Sequence, residues 1–171
     1  MVGLTLGLGA AGCSEGADSG SVTTGPAPAQ AAGPVVDQIA AAVTALEELL
    51  GGPQEYVEIN ADTRMVSLVT FDASSSEAQA YRYLAGVITP ASEPFGISGG
   101  TPLRAEWIAF DPDRIFESLR AELPDSSVVG FVILAGTGET ATYEAVLQSR
   151  QGGQILVSLG AQGQVLSVQV L

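Results

Sequence analysis

Apolar residues recur at helical spacing in two stretches of this chain, and after each stretch the pattern changes to four short strand-like runs. In residues 35–50, Val36, Ile39, Val43, Leu46 and Leu50 lie three or four positions apart, which lines one face of a helix. Gly51-Gly52-Pro53 then stops it. Residues 55–60, 65–71, 79–88 and 103–110 are rich in Val, Ile, Tyr and Phe with partial alternation, which predicts four strands. Ala61-Asp62-Thr63 and residues 72–77 supply the first two turns, and residues 90–102, with three Pro and three Gly, form a long irregular connection. A second helix is expected from Asp111, whose carboxylate can cap the free N–H groups, with Pro112 at the first helical position. Its buried stripe is Ile115, Phe116, Leu119 and Leu123, and Pro124 ends it. Four more strands follow at 128–134, 140–149, 154–159 and 164–170, separated by Gly-containing turns.

This order predicts an α+β fold in which two helix-plus-four-strand units, residues 35–110 and 111–171, share one curved antiparallel sheet of about eight strands with both helices on its concave face. Element order alone suggests a repeat, since the two halves share no evident residue-level identity. The closing hairpin, Gly153-Gln154-Ile155-Leu156-Val157-Ser158-Leu159, a turn, and Gly163-Gln164-Val165-Leu166-Ser167-Val168, resembles the last strands of PepSY-type domains, which end in a Gly-containing turn and a Gly-x-Val-x-x-Val run. That resemblance covers residues 111–171. It implies a binding or inhibitory module of the cell envelope and brings no catalytic residue with it.

The N-terminus is a different kind of sequence. Residues 2–12 are apolar and small, too few for the roughly 20 that a membrane span needs but of the right length for the core of an export signal. Ala10-Ala11-Gly12-Cys13 resembles the lipobox of bacterial lipoproteins, and the resemblance implies cleavage before Cys13 and lipid attachment to it. Export and anchoring to the outer face of the cell membrane through residues 1–13 are the expectation. Residues 14–34 are dominated by Gly, Ser, Ala and Pro and have nothing to offset the cost of ordering, so they predict a flexible tether. One folded domain, residues 35–171, remains. The overall layout, with Arg but no Lys, is similar to that of exported lipoproteins of actinobacteria.

Composition removes most chemistry. The chain has no His and no Lys, so His-based triads, His-ligated zinc, Schiff-base chemistry and the P-loop lysine are all excluded. Its single cysteine forms no disulfide within the chain. A net charge of −13 repels nucleic acid. Gly96-Ile97-Ser98-Gly99-Gly100 matches the string of a nucleophile elbow but sits in the irregular loop, with no base to activate Ser98 or Ser74 to Ser76. Gly136-Thr137-Gly138 precedes a strand rather than a helix and reads as a hairpin turn, not a phosphate cradle. Asp111 and Asp113 are accounted for by helix capping, so no metal and no cofactor is expected, and the protein is expected not to be an enzyme.

The aromatic side chains are the remaining candidates. Tyr81 and Tyr83 share one face of a predicted strand, Tyr143 lies in another, and Trp107 is the lone tryptophan. They either finish the core or line a binding surface. Two functions follow: a lipoprotein that binds or inhibits another protein through its sheet face, or a carrier of lipid or another apolar ligand. An unfilled cavity among Val43, Leu46, Ile115 and Leu119 would favour the carrier, and a packed core the protein binder.

Overall fold

The structure, a computed structural model, describes residues 33–98 and 100–171. The apolar leader, Cys13, nearly all of the tether and Gly99 lie outside the described residues. After one 3-10 turn at Val36–Gln38, helix α1 (Ile39–Leu50) buries Ile39, Ala42, Val43 and Leu46. Gly51 ends it at φ 84°, where the N–H groups of Gly51 and Gly52 both donate to the Glu47 carbonyl, at 2.9 and 2.8 Å. That left-handed cap favours glycine, which has no Cβ to strain it. Leu50, expected on the buried stripe, is instead exposed at the last position of the helix, and Ala42 is buried in addition to the expected residues.

Strands β1 (Glu55–Asp62), β2 (Val66–Asp72), β3 (Glu77–Leu84) and β4 (Val87–Pro90) form a meander. The single strand expected at 79–88 is therefore two. Leu84 pairs with Val87 across a two-residue loop in which Ala85 (φ 52°) and Gly86 (φ 84°) both take positive φ, the geometry that matches the twist of a tight hairpin. Two short strands follow, β5 (Phe95–Gly96) beside β3 and β6 (Leu103–Arg104) beside β1.

The strand expected at 103–110 is also corrected: it stops after two residues and gives way to a 3-10 turn at Ala105–Trp107. The reason lies in the sheet. Glu58 to Asp62 of β1 pair with Leu134 to Gly130 of β7 (Ser126–Ala135), so only the first three residues of β1 are left on that side, and β6 pairs with Glu55 and Tyr56. Helix α2 (Pro112–Glu122) begins as expected, with the Asp111 carboxylate accepting from the Arg114 N–H at 3.2 Å, and buries Ile115 and Leu119. Strands β8 (Ala141–Ser149), β9 (Gln154–Leu159) and β10 (Val165–Val170) complete the second meander.

The fold is α+β, with one ten-stranded antiparallel sheet whose main path runs β10-β9-β8-β7-β1-β2-β3-β4. The first strands of the two meanders meet at the centre, so each meander runs outward from the β1–β7 junction. Bulges at Tyr56/Glu58, Val128/Gly130 and Val165/Ser167 shift the register, and such bulges sharpen local twist. The buried residues of both helices belong to one cluster with Ile59, Leu68, Phe131, Ile133, Leu147 and Val157, so both helices cover the same face of the sheet.

Candidate functional site

The aromatic candidates divide by depth. Tyr81 is 5% exposed and its hydroxyl donates to Gln79 Oε1 at 2.8 Å; Tyr143 is 2% exposed. Burial raises the phenol pKa of both, and at Tyr143 the hydrogen bond with Ala109 works in the opposite direction. Tyr143 packs with Phe110 and Phe131, with ring centroids 5.2 and 6.1 Å away, and Phe116 meets Phe131 edge-on at 6.2 Å. These two tyrosines finish the core and present no ring face to a ligand. Tyr83 and Trp107 are half-buried at its rim. Trp107 lies under the Arg104 guanidinium, 5.7 Å from the ring centroid, and Arg104 also pairs with Glu55 at 3.2 Å. Cys13 lies outside the described residues.

A buried phenol that the sequence did not single out is Tyr56. It is fully buried and its hydroxyl donates to Glu47 Oε1 at 3.2 Å, tying β1 to the last turn of α1. Burial first, and then the Glu47 carboxylate, push its pKa far up. The signal was present as an aromatic ring at an inward position of β1, nine residues after a glutamate in the last turn of α1.

Val43, Leu46, Ile115 and Leu119 are all members of the single packed cluster, and Leu46 and Ile115 are completely inaccessible. Ser98 is exposed in the loop between β5 and β6, with no helix following it. Ser74 belongs to a turn closed by Asp72, whose Oδ1 accepts from the Ser74 N–H at 2.8 Å and its hydroxyl at 2.7 Å. Those bonds hold the Asp72 carboxyl below its ordinary pKa. The Gly136–Gly138 segment is a hairpin turn, with the Gly136 N–H bonded to the Thr140 carbonyl at 2.8 Å. Among the described residues, no group of three His, Cys, Asp or Glu is placed to hold a metal ion.

The sheet face opposite the helices carries a second set of aliphatic side chains. The register places Val69, Glu58, Leu134 and Thr142 in one row across β2, β1, β7 and β8, and Asn60, Val132, Glu144 and Ser158 in the next across β1, β7, β8 and β9. A third row carries Gly130, Val146 and Leu156. Directly paired residues share a face. Val69, Leu134, Val132, Val146 and Leu156 thus form a diagonal apolar stripe, half-buried and separate from the core cluster, with the carboxylates of Glu58 and Glu144 set into it.

The fold has a solved counterpart. A crystal structure of a candidate lipoprotein from Clostridium difficile 630 superposes with a TM-score of 0.53 at 11% sequence identity, covering 82% of this chain and 94% of that one. At that identity the likeness shows the fold alone. No protein-family model and no curated protein matches the chain, so the PepSY and actinobacterial resemblances gain no support from these comparisons. Among the described residues no helix is long and apolar enough to cross a membrane.

Proposed function

We propose that the chain is a non-catalytic envelope lipoprotein, anchored through Cys13, that binds or inhibits another protein through the open face of its sheet. The observation that carries this reading is the diagonal stripe of Val69, Leu134, Val132, Val146 and Leu156 with Glu58 and Glu144 embedded in it. Half-buried aliphatic side chains with carboxylates set among them suit a partner surface that is apolar and carries basic side chains at the matching positions. The filled core argues against the carrier reading, because a lipid chain needs a cavity between sheet and helices and Leu46 and Ile115 have none beside them. Anchoring rests on the lipobox-like Ala10-Ala11-Gly12-Cys13, supported by the candidate-lipoprotein description of the C. difficile protein of similar fold.

Native mass spectrometry of the protein purified from its own envelope tests the binding reading. A co-purifying polypeptide that is lost in Leu134→Glu and in Val146→Glu, with the melting temperature of each variant unchanged, is the expected result. A co-purifying lipid mass would instead establish the carrier. For the anchor, Cys13→Ser in the full-length precursor should move the protein out of the membrane fraction, and an unchanged distribution would refute it.

A further inference from the structure

Strand β10 is the outer strand at one end of the sheet, and among the described residues it pairs only with β9. Its other side presents backbone N–H and C=O groups that bond either to water or to another strand. Sheets commonly protect such edges with short strands, proline or charge. The opposite edge does so, since β4 has four residues and ends at Pro90. Strand β10 has six residues, no proline and no charged side chain, and no charged side chain occurs anywhere in residues 151–171 of a chain whose net charge is −13.

The side chains of this edge are also apolar where exposure favours polarity. Val168 and Val170 pair with Val157 and Ile155, which places them on the helix-covered face, yet they are 51% and 79% exposed because the core stops short of them. Leu166, at the bulge, is 68% exposed. The strand reads Leu166-Ser167-Val168-Gln169-Val170, apolar and polar in alternation, and the order is the same read from either end about Val168.

From this we infer that β10 is the pairing edge for a second copy of the chain, joined antiparallel about a twofold axis at Val168. In that register Val168 faces Val168 of the second copy and Ser167 faces its Gln169, both within the regular part of the strand beyond the bulge. The contact is reciprocal, with Ser167 of each copy against Gln169 of the other, as an isologous twofold interface requires, and apolar meets apolar while polar meets polar. A second acidic chain would ordinarily set like charges opposite each other across the ladder, which is destabilising. Here the pairing strands carry none, and the repulsion that remains comes from charges elsewhere on the two copies. Salt screens such repulsion over about 8 Å at physiological ionic strength, so self-association strengthens as salt is added. A basic strand docked on the same edge would be released by salt instead.

The experiment is sedimentation equilibrium of the full chain under reducing conditions, across a range of protein and salt concentrations. The expected result is a reversible doubling of mass whose dissociation constant falls as salt rises. Val168→Lys, which puts two like charges face to face on the axis, should raise that constant at least tenfold at an unchanged melting temperature, while Val87→Lys on the opposite edge should leave it alone. Hydrogen exchange on the wild-type chain gives a second reading independent of any variant, since amides within residues 165–170 should become more protected as protein concentration rises. A chain that stays monomeric at every concentration, or a dimer that survives Val168→Lys, forms equally poorly in Val87→Lys, or leaves those amides unaffected, overturns the inference.

Discussion

The Tyr143 hydroxyl clamps Ala109 from both sides, accepting from its N–H at 2.9 Å and donating to its carbonyl at 3.0 Å. One phenol thereby satisfies both backbone groups of a residue in a segment that belongs to neither a helix nor a strand. Phe110, next in the chain, packs its ring at a tilt against Tyr143 and Phe131 and holds the segment onto the sheet just before α2 starts. Tyr143→Phe keeps the ring and removes the clamp. It should cost about 1 kcal/mol in chemical denaturation and raise the exchange rate of the Ala109 amide selectively.

Alkaline pH should unfold the protein through its phenols. Tyr56, Tyr81 and Tyr143 all have folded-state pKa values raised by burial, so the folded state holds its phenolic protons more tightly than the unfolded chain does. Their contribution is complete below the unfolded value of about 10 and is lost as pH rises past it, with a limiting slope of about 1.4 kcal/mol per pH unit for each phenol. Denaturation curves taken from pH 8 to 11.5 should show this decline, and Tyr143→Phe should make it shallower. A stability independent of pH above 10 would contradict the burial of these hydroxyls.

Gly163 serves two requirements at once. Its φ is +83°, and a Cβ there would lie 3.1 Å from the Arg114 carbonyl oxygen and 3.2 Å from the Ile115 Cα, both backbone atoms of α2. Gly138, at φ +73°, has nothing within 4 Å of the same position. Gly138→Ala should therefore cost only the left-handed conformation, about 1–2 kcal/mol, and Gly163→Ala clearly more. Thermal melting of the two variants side by side measures the difference, which reports how tightly the β9–β10 turn docks on α2.

The hairpin tip offers a gain. Ala85 is exposed and takes φ 52°, which disfavours any residue with a Cβ but is tolerated by Asn and Gly. Ala85→Asn creates the Asn-Gly pair that such turns prefer, and it should raise stability by about 0.5–1 kcal/mol.

Leu119 is 1% exposed in the middle of the core. Leu119→Ala should cost about 2–5 kcal/mol, and a loss below about 1 kcal/mol would mean that α2 contributes little to the packing.

Where the sequence was readable, a local rule governed the outcome. The Asp111 cap, Pro112 and the stripe of Ile115 and Leu119 are consequences of helix geometry alone, and α2 follows them closely. The hairpin at Ala85-Gly86 was missed because alanine at a positive φ carries no sequence signal, and the apolar run on either side looks continuous. The strand at 103–110 failed for a non-local reason: nothing in Leu103 to Phe110 shows that Glu58 to Asp62 are already occupied by β7. The same limit applied to the aromatics. Strand alternation put Tyr81 and Tyr83 on one face, but only the sheet order shows that this face lies beneath the helices. The stripe on the far face was not singled out either, since Val69, Leu134, Val132, Val146 and Leu156 are scattered over four strands and become neighbours only through the register.

The junction of β1 and β7 at the middle of the sheet also dictates the order in which the chain can complete itself. Every other contact along the main path joins strands that are consecutive in sequence, whereas Ile59 finds Ile133 more than 70 residues later. Local hairpins close quickly, and pairings of such wide separation set the pace of folding. At about 5–20 residues per second of synthesis, β1 exists for roughly 4–15 seconds before β7 has been made. Through that interval the innermost strand of the finished sheet is an open edge, and whatever receives the emerging chain has to keep that edge from pairing with the wrong partner.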